Sequence, residues 1–245
     1  DIYGVIFPIE NYIQLVETHD ANIIFYSNFD FNCVTKYLFS DSGKTHFMKR
    51  VILNSDKLFS EETRPKYFCI VYSIWQKAYD EIILQKGQES CHFMQSLPDK
   101  ELIQSFPSPW LVLIDDQAGM AFTSQFCLQL WTIYAHHLSG VCFLTTQNPF
   151  MKSNPIARTI SINSSCLIFM KISRDLDMIK RLGRSIFGSN WKVMYEAYTY
   201  LQKQSNYAYL ISDSSSLCDP AMKLRSGIFD TEPTTCFLPK NGTQL

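Results

Sequence analysis

A mixed α/β fold, with a mainly parallel central sheet flanked by helices, is what this sequence predicts. Three observations lead there. Short apolar runs alternate with longer segments of helical pattern, the signature of βαβ units. Several runs, Leu111-Val-Leu-Ile114 among them, are apolar at every position, as a strand needs when helices cover both faces of its sheet. Finally, 245 residues with 46% hydrophobic and 14% aromatic content can bury one sizeable core.

In chain order, residues 1–28 read as a peripheral strand or hairpin, and 29–229 as the principal domain. Strands are expected at 33–39, 67–73, 110–114, 140–145 and 166–171, with helices at about 44–54, 75–85, 123–138 and 174–187. After Gly188 a helix at 191–203 and added strands at 207–212 and 222–229 are expected. Residues 230–245, with Pro233, Pro239 and Gly242, read as a C-terminal tail. The chain opens on Asp1 rather than Met, which leads us to expect further sequence before it.

Composition excludes some classes. With 22 basic against 23 acidic residues and a net charge of −1, there is no chain-wide electrostatic case for nucleic acid or a membrane surface, so any such contact is local. Eight cysteines, at 33, 69, 91, 127, 142, 166, 218 and 236, form no C-x-x-C pair. They read as reduced, buried thiols of an intracellular protein rather than a disulfide framework or a zinc site. No apolar run approaches the ~18 residues a membrane span needs, and no basic segment precedes an apolar one at the start. A soluble, unexported chain without membrane contact is the expectation.

The segment Leu38-Phe39-Ser40-Asp41-Ser42-Gly43-Lys44-Thr45 matches the end of the pattern G-x-x-x-x-G-K-[ST] and lacks its first glycine. In that pattern backbone N–H groups wrap the β-phosphate, the Lys neutralises β/γ oxygens and the Ser/Thr hydroxyl ligates Mg²⁺. Some 70 residues on, Trp110-Leu-Val-Leu-Ile-Asp115-Asp116 runs an apolar strand into two carboxylates at the edge where parallel sheets bind ligands. The first acid suits Mg²⁺ held through its water shell, and the second suits polarising an attacking water. A third strand ends in Thr146-Gln147-Asn148, where an amide can sense a γ-phosphate or orient water. A simple Asn148-Pro149 turn is the competing reading of that segment.

These residues, with Phe31-Asn-Cys-Val, Ser42-Gly-Lys-Thr-His-Phe-Met-Lys-Arg50, His136-His137, Phe143-Leu-Thr-Thr-Gln-Asn148, Arg158-Thr-Ile-Ser-Ile-Asn163, Arg174-Asp175, Glu196-Ala-Tyr198 and Leu224-Arg-Ser-Gly-Ile-Phe229, occur in one order over about 29–233. The series resembles the genome-packaging ATPases of Maverick/Polinton-type elements and adintovirus-like DNA viruses, a poxvirus-related branch of the FtsK/HerA translocases. The resemblance implies a RecA-like ASCE P-loop NTPase fold and Mg-ATP hydrolysis. It also implies a homo-oligomeric ring that drives double-stranded DNA into a capsid, in a nucleus, viral factory or virion. Position by position, it puts the Walker A site on Ser40, Asp41, Ser42, Gly43, Lys44, Thr45 and His46. Mg²⁺ falls to Thr45 and Asp115, the Walker B catalytic acid to Asp116, and the sensor amide to Gln147. Arg158, Arg174 and Arg181 are open alternatives for the finger that completes a neighbouring subunit's site, against simple surface ion pairing.

Leu38, Phe39 and Asp41 depart from the glycine-rich loop of that family. A side chain where backbone must approach phosphate or take positive φ costs on the order of 1 kcal/mol or more. Asp41 adds a carboxylate beside the polyphosphate. At ~4 Å and an effective dielectric of ~20, two like charges repel by about 4 kcal/mol. Weakened nucleotide binding is therefore expected. The alternatives are a catalytically inactive derivative serving as a structural or interaction module, and a small-molecule kinase, which no Arg-rich lid supports. His136 and His137, adjacent on a helix, read as packing or surface. Tyr72, Trp75 and Tyr79 read as core packing, and Lys49-Arg50 as a solvated face.

Overall fold

The computed structural model describes residues 5–8, 13–18, 43–146, 154–171, 176–215 and 218–240. In chain order the elements are β1 (Val5–Pro8), β2 (Ile13–Thr18), α1 (Lys44–Leu53), α2 (Ser55–Leu58), β3 (Tyr67–Tyr72), α3 (Lys77–Lys86), β4 (Cys91–Met94), α4 (Lys100–Ser105) and β5 (Trp110–Asp115). Then come α5 (Ala118–Ala121), α6 (Gln125–Gln129), a π-helical turn (Leu130–Tyr134), α7 (Ala135–His137), β6 (Gly140–Leu144), α8 (Pro155–Ile162) and β7 (Cys166–Phe169). Last are α9 (Asp177–Phe187), α10 (Trp191–Gln204), β8 (Leu210–Asp213), β9 (Leu224–Ser226) and β10 (Thr234–Pro239). Among the described residues no helix is long and apolar enough to cross a membrane. Contacts group the chain into two compact units, Ile24–Leu167 on one hand and Asp1–Ile23 with Ile168–Leu245 on the other. That division runs through the expected 29–229 domain.

The unit Ile24–Leu167 holds an all-parallel sheet of order β4-β3-β5-β6. Successive side chains on a strand point to opposite faces. Cys69, Val71, Val112, Ile114, Cys142 and Leu144 join Trp131, Phe122, Ala157 and Ile160 in one buried cluster. The alternate set, Phe68, Ile70, Leu111, Leu113, Val141 and Phe143, is buried as well. Both faces are therefore covered, as the unbroken apolar runs require. Six of the described cysteines are buried and Cys218 is half-buried, all of them free thiols. Burial pushes Cys69 and Cys127 up to about 12, which suits small core hydrophobes.

Gly140 shows how tightly this sheet is filled. A Cβ there would lie 2.1 Å from Trp110 Cη2, and Trp110 is 1% exposed with nowhere to go. Gly140→Ala is expected to cost about 1–3 kcal/mol by overpacking, read as a lower urea midpoint at unchanged m-value; an unchanged midpoint would contradict it.

The second unit carries a six-stranded sheet of order β1-β2-β10-β9-β8-β7. β1 and β2 form the expected hairpin-like antiparallel pair, with Val5 opposite Glu17 and Pro8 opposite Gln14. The expected tail is corrected in part: Thr234–Pro239 is a strand, paired antiparallel with β2 and β9. Its prolines had argued for a tail, but Pro239 sits at the strand's last position and Pro233 just before it, where a missing N–H is tolerated. The expected strand at 222–229 shrinks to Leu224–Ser226. α9 buries Met178, Ile179, Leu182 and Gly183, and Gly183 lets the Trp191 backbone approach, since a Cβ would meet its carbonyl oxygen at 3.0 Å. The Arg184 guanidinium lies 4.3 Å over the Trp191 ring.

Other elements were not anticipated, β4, α4 and α8 among them. β4 is four residues with His92 inside it, too short for a period to show. α4 is six residues, started by the Asp99 side chain accepting from Leu102 N–H at 2.8 Å. α8 reads as a poor helix, Pro155-Ile-Ala-Arg-Thr-Ile-Ser-Ile162, by propensity. What makes it helical is Asn154, whose side chain accepts from Ala157 N–H at 2.9 Å and donates to Phe122 O at 2.9 Å, followed by Pro155 in the first turn.

Candidate functional site

Gly43 starts the site. It precedes α1 with φ 78 and ψ 27, left-handed geometry that a β-carbon disfavours, and its carbonyl accepts the Phe47 N–H at 2.8 Å. α1 then buries Phe47, Met48, Val51 and Ile52 in one stripe, which fixes the helix about its axis and holds Lys44 and Thr45 at its first turn.

β5 delivers the acids. Its six residues are all buried, so the chain leaves the sheet only after Asp115. Asp115 is 1% exposed, and a charge so placed must be hydrogen-bonded. Thr45 Oγ1 donates to its Oδ2 at 2.8 Å across 70 residues of sequence. The Tyr79 hydroxyl donates to the same Oδ2 at 2.9 Å, and Thr145 Oγ1 donates to Oδ1 at 2.8 Å. Burial first, and the neighbouring Asp115 carboxylate second, push the Tyr79 phenol well above its ordinary value, so it stays a donor.

Asp116 has a different setting. Its φ of 57 is left-handed for a non-glycine residue, which Asp tolerates better than most side chains. That turn points its carboxylate to a half-exposed position 3.7 Å from Lys44 Nζ, with side-chain exposures of 49% and 10% respectively. Its N–H donates to Thr145 Oγ1 at 2.8 Å. The two acids are thus sorted, one buried under three hydroxyl donors, the other open to solvent beside Lys44.

The expected neighbour relation of the strands holds. β5 and β6 pair in parallel register, Ile114 opposite Leu144, so residues 115–116 and 145–146 leave the sheet at one edge. His46 follows Thr45 and is exposed; desolvation, then Lys49 and Arg50, hold its imidazole below the ordinary value. Leu38, Phe39, Ser40, Asp41, Ser42, Gln147, Asn148 and Arg174 lie outside the described residues. Arg158 is exposed on α8, and Arg181 is exposed on α9 in the second unit, beside Asp177, Lys180 and Arg184. His136 and His137 are exposed at the end of α7.

The solvated reading of Lys49 is corrected. Its side chain is 12% exposed and its Nζ lies 2.6 Å from Glu81 Oε2, joining α1 to α3. The reason is that α1 packs against α3 on that side. Tyr79 was read as packing, and its ring does sit 5.6 Å from Tyr72, 5.5 Å from Trp75 and 5.7 Å from Phe93. Its hydroxyl, however, belongs to the Asp115 cluster. Nothing in the spacing announces that role. Thr145 was placed at the strand end but not recognised as the link between the two acids.

No protein-family model matches this chain, and no curated protein does. Among solved structures it is similar to the genome packaging NTPase B204 of Sulfolobus turreted icosahedral virus 2, determined in complex with AMPPCP. That pair shares 12% identity with a TM-score of 0.48, covering 81% of this chain and 98% of that one. It is also similar to the cytoplasmic domain of the type VII secretion ATPase EccC of Thermomonospora curvata, at 12% identity and a TM-score of 0.45, over 84% of this chain and 25% of that one.

The donor set fits a magnesium–nucleotide pair. Among the described residues no three His, Cys, Asp or Glu side chains gather as a metal cage. Mg²⁺ does not ask for one, since it binds through one or two carboxylates with waters and substrate phosphates. Thr45 and Asp115 are the groups that would hold it, and Lys44 is the cation that would face the phosphates.

Proposed function

We propose that this chain is a P-loop nucleotide-binding domain of the genome-packaging type, with ATP and Mg²⁺ as its ligands and a weakened grip on them. The observation that carries this reading is the contact of Thr45 Oγ1 with Asp115 Oδ2 at 2.8 Å, with Lys44 and Asp116 paired beside it. It joins the start of a helix opened by glycine to the end of a buried parallel strand, as binding of Mg²⁺ beside a triphosphate requires. When bound, the metal supplies charge neutralisation at the β- and γ-phosphates. Lys44 would bind those oxygens, Asp115 is aimed by three hydroxyl donors, and Asp116, half-exposed beside Lys44, is placed to orient water.

Double-stranded DNA, capsid components and a ring of identical copies belong to the same proposal, and they rest on the ordered motif series. So does the assignment to the Maverick/Polinton and adintovirus branch. Weakened binding rests on Leu38 and Asp41 in the loop. Titration with labelled ATP and Mg²⁺ tests both parts. Feeble binding by the parent, tightened more than tenfold in Leu38→Gly/Asp41→Gly, is the expected result. Tight binding with DNA-stimulated turnover in the parent would overturn the weakening, and no binding by either protein would leave the inactive structural module as the better account.

A further inference from the structure

We propose that Tyr79 is a positioning residue for the divalent cation of this site, holding Asp115 so that Thr45 is aimed for the metal. The inference rests on the Mg²⁺–nucleotide reading above and deepens it. Each carboxylate oxygen offers two in-plane lone-pair sites. Oδ2 of Asp115 has both engaged, by Thr45 at 2.8 Å from α1 and Tyr79 at 2.9 Å from α3, while Oδ1 takes Thr145 at 2.8 Å from the β6 end. Three elements of one unit therefore converge on one buried carboxylate. With its hydrogen committed to Oδ2, the Thr45 hydroxyl keeps its lone pairs for a cation.

Tyr79 is a firmly packed anchor. It is 1% exposed, and its ring is wedged against Tyr72, Trp75 and Phe93. Trp75 is itself tied to α3 by Nε1 donating to Asp80 Oδ1 at 3.0 Å. Without the phenolic hydrogen, Oδ2 loses a donor in a place water does not reach, and the carboxylate is free to turn off the Thr45 axis. Groups that orient metal-holding carboxylates typically govern 10- to 100-fold in metal affinity.

The test compares the parent chain, Tyr79→Phe and Phe93→Leu by thermal melting with excess ATP while Mg²⁺ is raised, and with ATP in EDTA. Tyr79→Phe keeps the ring and its packing. It is expected to melt close to the parent, to respond to ATP in EDTA like the parent, and to need about tenfold more Mg²⁺ or beyond for half-maximal stabilisation. Phe93→Leu disturbs the same cluster without touching Asp115, so it is expected to melt lower with an unmoved Mg²⁺ midpoint. An unmoved or lower midpoint in Tyr79→Phe, an equal shift in Phe93→Leu, or loss of the fold in Tyr79→Phe overturns the positioning role. A parent that shows no Mg²⁺-dependent response to ATP overturns the nucleotide reading itself and this role with it.

Discussion

Replacing Lys44 by alanine is expected to lower the affinity for ATP by about three orders of magnitude while leaving the fold intact. A cation ~4 Å from a phosphate oxygen at an effective dielectric of ~20 contributes about 4 kcal/mol, and every 1.4 kcal/mol is a factor of ten. The fold is spared because the partner Lys44 leaves behind, Asp116, is 49% exposed and water can solvate it. An ion pair of that kind contributes roughly 0–1 kcal/mol. Equilibrium binding of labelled ATP, beside a melting curve, measures the two effects separately. Equal ATP affinity in parent and Lys44→Ala would remove the phosphate-binding role from Lys44.

The largest stability effect is expected in the other unit, at Arg225. Its Nη2 lies 2.9 Å from Asp213 Oδ2, with 2% and 1% of the two side chains exposed. Arg225 also donates to the Met222 carbonyl. Arg225→Leu leaves a buried carboxylate uncompensated, which typically costs about 3–5 kcal/mol. In a chain of this size each kcal/mol moves the melting temperature by roughly 2–4 °C, so a fall on the order of 10 °C is expected. Exchanging both partners, Arg225→Met with Asp213→Leu, is expected to recover most of it, because the cost lies in the orphaned charge rather than in a lost attraction. A single substitution that melts within 2 °C of the parent would contradict the assignment.

What could be read from the sequence follows from how local each determinant is. Leu111-Val-Leu-Ile114 and Gly140-Val-Cys-Phe-Leu144 announce buried parallel strands because every position must be apolar, and both stand where expected. Gly43-Lys44-Thr45 and Asp115-Asp116 were legible because phosphate and metal chemistry constrains residue type and spacing together. α8 was missed although Asn154-Pro155 carries its start signal, since its Ile, Thr and Ser content outweighed the cap. β10 was missed because prolines at strand ends look like prolines in a tail. The Tyr79 hydroxyl could not be foreseen at all: only the packing of α3 brings it to a carboxylate 36 residues further on.

The Thr145 hydroxyl gives to the side chain of one acid and takes from the backbone of the next. This removes a degree of freedom. Asp115 and Asp116 answer to the same hydroxyl at the end of β6, one through its side chain and the other through its backbone, so neither hydrogen bond can be lost in Thr145→Val without the other.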